Sequence, residues 1–305
     1  MISASSGGHA LAIGTFDGVH LGHRAVIEMA RALAGADGKV TAVTFWPHPQ
    51  SVFDPHGAPL LLQDANARRD ALLAAGANEI VELNFTVSLA AMSPRDFVEE
   101  ILLSLNPSAT VVGANFTFGA RGAGTPQTLA ELADGRFEVD TAPLVTVGGQ
   151  TVSSSAIRAM VLQGDASGAA CLLGRDFSVR GEVVHGDHRG RQLGFPTANL
   201  TPPTGLVTPA DGVYAGWLRR LDEPGAKPAP AAISVGDNPT FHSSRRVEAH
   251  VLGADLDLYG VSVEIGFAAW LRPMVTFNQI DELVAQLGAD VADTATLMDR
   301  VVGAR

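Results

Sequence analysis

Two histidines near the start of the chain are spaced so that both could meet one anion. His20 and His23 lie three residues apart in the stretch 12–23, where an amphipathic segment begins. On a helix this spacing places both imidazoles on one face of the first turn. A tight turn at Asp17 and Gly18 would add backbone N–H groups and the positive end of the helix, which together suit a phosphate. The alternative is that the two histidines only cap and solvate the helix.

A second candidate for anion binding is the serine cluster at residues 153–155, which precedes a predicted helix carrying Arg158. Capping alone would explain serines at a helix start, because their hydroxyls accept hydrogen bonds from the first amides. Arg158 indicates a role in addition to capping, because the helix dipole disfavours a cation in the first turn by roughly a few tenths of a kcal/mol. An anion between Arg158 and the helix end would offset that penalty.

Alternating strands and helices must position these residues. Apolar runs predict strands at residues 11–13, 40–45, 80–83 and 110–112. Helical patterns begin near His20 and cover residues 65–75 and 94–105. Such alternation is typical of a parallel sheet with helices on both faces, whose ligands bind beyond the carboxyl ends of the strands. The loops AIGTFDGVH, FWPHP and VGANF all follow predicted strands, so we expect them to converge on one crevice.

The second half of the chain has a different pattern. From residue 175 onward, short β-prone runs are separated by Gly and Pro, which is typical of a small antiparallel barrel. Helical segments at 279–287 and 291–302 would close the barrel, and residues 221–230 would form a surface loop between two strands. We therefore predict two domains, a Rossmann-like α/β domain with a parallel sheet over 1–174 and a mostly antiparallel β-barrel over 175–305.

The composition restricts the class of protein. The chain has 305 residues, of which 46% are hydrophobic and 17% charged, and no apolar run approaches the roughly 20 residues that a membrane helix needs. The formal net charge of −11 opposes binding to nucleic acid, so an anionic ligand must be held locally. The amino terminus lacks a basic region followed by a long apolar core, which predicts a cytoplasmic protein. Cys171 is the single cysteine, and its apolar neighbours predict a buried small residue.

Six motifs, spread over both halves, carry a family resemblance. They read GTFDGVHLGH at 14–23, FWPHP at 45–49, SSSAIR at 153–158, GEVVHGDHRGRQLGFPTANL at 181–200, GVYAG at 212–216 and VEAHVL at 247–252. Along nearly its full length the chain resembles the bifunctional riboflavin kinase and FAD synthetase family of bacteria. The resemblance implies an FMN adenylyltransferase of the nucleotidyltransferase class over 1–174 and a riboflavin kinase barrel over 175–305.

The resemblance implies an adenylyl transfer site in the first half, where the phosphate of FMN attacks the α-phosphorus of ATP and expels pyrophosphate. His20 and His23 would bind the α-phosphate and its developing charge. Ser154, Ser155 and Arg158 would hold the β- and γ-phosphates, with Ser155 at a position where the family usually has Thr.

Further residues of this site follow from the same motifs. The ones implied at ATP and its phosphates are Gly14, Phe16, Asp17, Gly18 and His48. Asn115 and Phe116 are implied at the flavin. Asp17 could instead be a turn-forming residue, or it could organise the histidines and a metal.

The resemblance implies a second site in the barrel, where a ribityl hydroxyl attacks the γ-phosphorus of ATP. Glu248 matches the catalytic base of the family, and Thr197 and Asn199 match its Mg²⁺ ligands, since hydroxyl and amide oxygens are hard ligands. A glycine-rich loop at 186–194 would let the backbone approach the phosphates. The phosphate-binding residues implied there are Gly186, Arg189, Gly190, Arg191 and Gly194. Without the resemblance, Glu248 could be an ordinary exposed strand carboxylate.

The sequence therefore predicts an enzyme that phosphorylates riboflavin to FMN and then adenylylates FMN to FAD, with ATP as co-substrate and Mg²⁺ as cofactor. Its expected partners are riboflavin, FMN and ATP, without nucleic acid or membrane, and no oligomeric state is predicted. One alternative is that only one half is active, for example a kinase with a retired or retargeted nucleotidyltransferase domain. Another is a flavin-binding protein without catalysis.

Overall fold

The computed structural model describes residues 7–55, 57–186, 189–236, 246–254 and 257–303. The chain divides into two compact units, one formed by Met1–Leu61 and Ala65–Ser154 and the other by Leu62–Asp64 and Ser155–Arg305. Among the described residues, none of the helices is both long enough and apolar enough to cross a membrane.

The first unit is built on a parallel sheet, as predicted, and among the described residues the sheet has five strands, one more than the four that the apolar runs predicted. Its strands are β1 (His9–Ile13), β2 (Lys39–Trp46), β3 (Glu79–Asn84), β4 (Ala109–Gly113) and β5 (Glu138–Ala142). They lie in the order β3-β2-β1-β4-β5, and each neighbouring pair is parallel. Leu11 in the central strand pairs with Thr41 of β2 and Thr110 of β4. The order reverses between β2 and β4 around β1, which is where open α/β sheets bind ligands.

Helices and short turns connect these strands. The α-helices are α1 (Leu21–Ala34), α2 (Pro49–Phe53), α3 (Ala65–Ala74), α4 (Val87–Ala91), α5 (Pro94–Asp96) and α6 (Pro126–Ala133). The predicted helix at 94–105 is only partly α-helical, because α5 continues as a π-helix over Phe97–Leu102 and a 3₁₀ turn over Leu103–Leu105. A two-stranded hairpin, β6 (Thr146–Val147) and β7 (Gln150–Thr151), ends this unit.

Two apolar layers cover the faces of the parallel sheet. Ala10 and Ala12 of β1 pack in one layer with Ile27 of α1. Leu11 and Ile13 pack in the other, which also receives residues of the π-helix and α6. Because successive side chains of a strand point to opposite faces, an uninterrupted apolar strand such as β1 can supply both layers.

The second unit contains a closed six-stranded barrel, again as predicted. Its strands are β8 (Phe177–Val184), β9 (Ala198–Leu200), β10 (Gly212–Arg220), β11 (Ala229–Gly236), β12 (Arg246–Val251) and β13 (Ser262–Arg272). The barrel runs β10-β11-β12-β9-β8-β13, and every pair is antiparallel. The predicted surface loop lies between β10 and β11.

The remaining four α-helices of the described residues differ from the prediction near the carboxyl terminus. They are α7 (Ser154–Leu162), α8 (Ala166–Leu173), α9 (Arg189–Gln192) and α10 (Ile280–Gly303). The prediction of two separate helical segments near the carboxyl terminus was wrong, since α10 is continuous through Gly288. An interior glycine weakens a helix by only about 1 kcal/mol. The ion pair of Arg272 with Asp290, at 2.6 Å, anchors the helix just after that glycine.

The prediction for Cys171 was also wrong, because this side chain is exposed. Helix α8 buries Ala169, Leu172 and Leu173, which lie on one face of the helix. Cys171 lies on the other face although its sequence neighbours are apolar. Apolar neighbours along the chain therefore did not decide burial, since the helical period places adjacent residues on different faces.

A buried ionic cluster braces the barrel wall across β8, β13 and β10. Ser178 Oγ donates to Glu264 Oε1 at 2.6 Å, Arg180 Nη2 lies 3.4 Å from Oε2, and the Arg219 guanidinium also contacts Oε2. Burial raises the pKa of the Glu264 carboxyl. The hydrogen bonds from Ser178 and Arg219 and the charges of both arginines outweigh burial, so that the pKa lies below its usual value.

Candidate functional site

The turn between β1 and α1 has an unusual backbone conformation. Phe16, Gly18 and Val19 have φ values of +52°, +86° and +39°. Such values cost a non-glycine residue about 1 to 3 kcal/mol, and most for a β-branched one. Phe16 and Val19 are both buried, so packing holds them in place. At Gly14 an added Cβ would lie 3.2 Å from the Phe16 ring, which explains the glycine that starts the turn.

Two hydroxyl groups tether this turn. Thr44 of β2 is fully buried and its Oγ1 donates to the carbonyl of Thr15 at 3.1 Å. Ser154, the first residue of α7, donates from Oγ to the carbonyl of Asp17 at 2.8 Å. Asp17 itself is buried. The predicted residues Asp17 and Ser154 therefore do come together, through the turn backbone.

His20 and His23 form a stacked pair at the start of α1. Their ring centroids are 3.6 Å apart and the rings are inclined by only 13°. His20 is the N-cap of the helix, and its Nδ1 accepts from the His23 backbone N–H at 3.2 Å. His20 therefore does cap the helix. Because Nδ1 accepts, the neutral ring carries its proton on Nε2.

Gly22, which was not among the predicted site residues, lies against the His20 ring. A Cβ at this position would lie 3.2 Å from Nδ1 and Cε1 of His20. The stacked geometry therefore requires a residue without a side chain between the two histidines. The signal was present in the sequence, as the glycine inside HLGH.

The FWPHP motif begins with Phe45 and Trp46, the last two residues of β2, and its loop leaves the same edge of the sheet. His48 is the N-cap of α2, and its Nδ1 accepts from the Gln50 backbone N–H at 3.3 Å. By the same reasoning as for His20, the neutral His48 ring has its proton on Nε2. The peptide bond between Trp46 and Pro47 is cis.

The loop after β4 carries the predicted flavin residues. Asn115 is exposed and Phe116 is half-buried. The Phe116 ring is nearly parallel to Phe118, with centroids 5.7 Å apart, and Phe118 packs against Phe97 of the π-helix at 5.5 Å. Phe97 and Phe118 were not among the predicted site residues. Phe97 and Phe118 are buried in the core, so the three rings form an aromatic wall in which only Phe116 could contact a planar ligand.

Strand order decides where these three loops begin. β2, β1 and β4 are adjacent and parallel, so their carboxyl ends lie at one edge of the sheet. The three loops therefore leave the sheet at the same edge, and their convergence on one crevice stays a prediction. Ser155, which is exposed, and Arg158, which is half-buried, follow Ser154 on α7.

In the barrel, the strand register brings two predicted residues side by side. Glu248 of β12 pairs with Asn199 of β9 on one side and with Ser234 of β11 on the other. Val247 and Ala249 are fully buried, so the intervening Glu248 points to the opposite face of β12. Directly paired residues in antiparallel strands have Cβ atoms about 5 Å apart. The side chains of Glu248 and Asn199 therefore start from adjacent positions on the same face of the barrel sheet.

The PTAN segment is ordered by its own hydrogen bonds. Asn199 Nδ2 lies 3.4 Å from Thr197 Oγ1 and 3.3 Å from its carbonyl oxygen. With the amide nitrogen used as a donor, Oδ1 remains as a hard acceptor. His250, which the sequence analysis missed, binds the carbonyl of Pro196 through Nδ1 at 2.8 Å. Its signal was its position two residues after Glu248, on the same face of the strand.

The glycine-rich loop of the barrel packs too closely for side chains. A Cβ at Gly190 would lie 2.3 Å from the Phe195 carbonyl oxygen, and one at Gly186 would lie 2.5 Å from Asn199 Nδ2. Gly194 has a φ of +85°. Arg191, also predicted at the phosphates, is exposed. The side chain of Arg189 lies outside the described part of the structure.

The donor set of the barrel site suits Mg²⁺ better than a transition metal. Thr197 and Asn199 offer neutral oxygens, and Mg²⁺ keeps several waters and shares substrate phosphates, so it needs few protein ligands. In the described ranges there is no group of three or more His, Cys, Asp or Glu that could hold a metal ion. A site of this kind would depend on the nucleotide for part of its coordination.

Comparison with known proteins assigns a family to each half. Residues 2–156 match the family model described as FAD synthetase, and residues 173–298 match that described as riboflavin kinase. A crystal structure described as a macrolide-efflux protein from Streptococcus pneumoniae has the same fold, with a TM-score of 0.85 and 31% identity over 96% of this chain and 95% of that one.

Curated relatives extend the match to nearly the whole chain. The protein from Listeria monocytogenes is 36% identical over 93% of this chain and 90% of its own length, and that from Bacillus subtilis is 32% identical over 92% and 89%. The protein from Escherichia coli K12 is 33% identical over 93% and 90%. All three are named bifunctional riboflavin kinase/FMN adenylyltransferase. The chain therefore belongs to the bifunctional riboflavin kinase/FMN adenylyltransferase family.

Proposed function

We propose that this chain makes FAD from riboflavin in two ATP-dependent steps, phosphorylation in the barrel and adenylyl transfer at the parallel sheet. The observation that carries the proposal is that each fold holds its own set of suitable residues. One is the stacked pair of His20 and His23, and the other is the registered pair of Glu248 and Asn199. A chain with one retired half would have no reason to keep both arrangements.

Adenylyl transfer joins two anionic reactants, so the site must supply donors. His20 and His23 hold the α-phosphate, with His20 donating from Nε2 because its Nδ1 is already used by the helix cap. The turn at Phe16, Asp17 and Gly18 brings backbone N–H groups beside them, whereas the N–H of Gly14 donates to the Val43 carbonyl. These donors take up charge as it moves from the FMN phosphate to the leaving pyrophosphate.

The remaining residues of this half bind the ends of the reactants. Ser155 and Arg158 hold the β- and γ-phosphates, where the guanidinium donates two parallel hydrogen bonds. Ser154, whose hydroxyl proton is used by the Asp17 carbonyl, orders the turn beside them. Asn115 and Phe116 contact the flavin. This assignment draws support from the aromatic wall behind Phe116.

His48 binds the nucleotide through Nε2. Its Nδ1 accepts from the Gln50 backbone N–H, so the neutral ring carries its proton on Nε2. The loop that carries His48 follows β2, next to the strand that leads to His20.

Phosphorylation of riboflavin needs a base, because a neutral hydroxyl must attack. Glu248 accepts the proton of the ribityl hydroxyl, and its place within β12 keeps the carboxylate aimed. Thr197 and Asn199 would hold Mg²⁺, which neutralises phosphate charge when bound. Gly186, Gly190 and Gly194 let the backbone approach the phosphates, and Arg189 or Arg191 covers them.

Product analysis tests both steps. The purified chain, incubated with riboflavin, ATP and MgCl₂, should yield FMN and then FAD on chromatography. Unmodified riboflavin would refute the kinase step. Supplying FMN with ATP or CTP separates the remaining alternatives, since a retired half forms no FAD and a retargeted half prefers CTP. The domain ranges 1–174 and 175–305, the cytoplasmic location and the absence of nucleic-acid and membrane partners stay predictions.

A further inference from the structure

Arg68 of α3 is a buried arginine outside all the motifs considered so far. Only 5% of the residue is exposed. Nη2 pairs with Glu82 Oε2 of β3 at 2.7 Å, and Nη1 donates to the carbonyl of Phe45 at 3.3 Å. Its Cζ lies 5.1 Å from the ring centroid of Trp46, a cation–π distance. Two of these three contacts are with Phe45 and Trp46, the residues that begin the FWPHP motif.

The strand ladder explains why Phe45 needs this partner. β1 ends at Ile13, which pairs with Val43, and Gly14 N–H donates to the Val43 carbonyl. In a parallel ladder every second carbonyl of a strand faces the same neighbouring strand. After Val43, the next carbonyl of β2 that faces β1 is therefore that of Phe45. Beyond Gly14 the chain turns away into the strained loop, so β1 offers no amide to Phe45. Arg68 supplies the missing donor.

We propose that Arg68 is a positioning residue for adenylyl transfer, which sets the FWPHP loop so that His48 meets the nucleotide. Nη1 holds the loop backbone where β2 ends, and the planar guanidinium holds the Trp46 ring. Glu82 fixes the orientation of the guanidinium. The inference rests on the proposed place of His48 beside ATP.

The contacts argue against a direct role of Arg68 in binding ATP. Both Nη atoms already bind protein oxygens, and burial leaves no access for a phosphate. Lysine could not replace this arrangement, because a single ammonium lacks the fork that reaches a carbonyl and a carboxylate together while stacking on a ring.

Arg31 of α1 provides a matched control. Its Nη1 donates to the carbonyl of Gly38 at 2.8 Å and its Nη2 to that of Gly76 at 2.7 Å. Gly38 precedes β2 and Gly76 precedes β3, so Arg31 binds near the amino ends of these two strands. Arg68 contacts the same two strands near their carboxyl ends. Loss of Arg31 should lower stability without moving the FWPHP loop.

The test compares R68M, R68K and R31M in the full-length chain. We expect R68M to raise KM for ATP in FMN adenylylation about tenfold, because small displacements of positioning groups weaken binding strongly. R68K should raise KM less, and it keeps a cation at this position if R68M fails to fold. R31M should leave KM within about twofold. Riboflavin phosphorylation by the same samples, which the barrel carries out, should not change.

A double-mutant cycle with H48A shows whether Arg68 acts through the loop. If it does, adding R68M to H48A changes KM for ATP by less than about twofold. Additive effects, or an equal rise of KM in R31M, would overturn the inference. If H48A alone leaves KM unchanged, the proposed place of His48 is wrong and the inference falls with it. If H48A raises KM and R68M does not, only the inference fails.

Discussion

The two proposed sites differ in where their proposed functional groups lie on the backbone. At the parallel sheet they lie on loops beyond the strand ends, on a strained turn and at helix starts. In the barrel, Glu248 and Asn199 lie within paired strands. The difference follows the chemistry. Adenylyl transfer needs many donors around charged reactants, and loop amides and helix N-termini supply them. Phosphorylation of a hydroxyl needs one aimed base, and a strand aims it best.

The sharpest test of this comparison is E248Q. Glutamine keeps the shape of the side chain but cannot accept a proton, so FMN formation should fall by about 10² to 10⁴-fold. FAD formation from supplied FMN should be unchanged. Both rates can be measured by chromatography on one sample. E182Q is the control, since Glu182 is an exposed carboxylate of β8 in the same barrel. Equal losses in the two variants would argue against a specific base.

The reciprocal test alters the histidine pair. H23A should lower FAD formation by about 10² to 10³-fold, the usual effect of removing one donor to a developing charge, and should spare the kinase step. In H20N the asparagine retains a helix cap, whose loss would cost about 1 kcal/mol, but removes the imidazole. We therefore expect H20N to keep the melting temperature and lose activity. An active H20N would mean that capping is the only role of His20.

Two glycine substitutions, G22A and its control G288A, test whether the adenylyl transfer site depends on the exact stacking of His20 on His23. In G22A the added methyl meets the His20 ring, so FAD formation should fall about tenfold, because the stacked pair must shift. G288A adds the same methyl in the interior of α10, where no atom lies within 4 Å, and should stabilise the chain by about 1 kcal/mol. Steady-state kinetics and thermal unfolding separate the two outcomes. Unchanged kinetics in G22A would show that the stacking is dispensable.

The smallest expected effect is the acid dependence of barrel stability. The pKa of Glu264 is lowered in the folded state, so its stabilisation is complete above its unfolded value, near 4.5, and is lost as the pH falls through the folded value. E264Q should be less stable at neutral pH and lose less stability between pH 5 and 3. Denaturant unfolding across this range measures both slopes. If the free energy of unfolding changed with pH equally in the two proteins, the contribution of the Glu264 carboxylate to stability would be refuted.

The local sequence pattern was enough to predict most helices and strands. It was not enough to predict the side-chain contacts on which the proposed sites depend. The period of apolar residues indicated the parallel sheet and the barrel, because it reflects which face of each element is buried. The same reasoning failed for Cys171 and for the two helical segments that are one helix, since burial and continuity there depend on contacts with other elements.

The sequence by itself determined the two fold classes, the motifs and the chemistry that those motifs can perform. Only the tertiary structure decided that His20 uses Nδ1 as a cap and stacks on His23, that Glu248 lies opposite Asn199, and that Arg68 completes the end of β2. The physical reason is the range of the interactions. Periodicity and turn chemistry act between near neighbours in the chain, whereas strand register and buried hydrogen bonds depend on packing between distant segments.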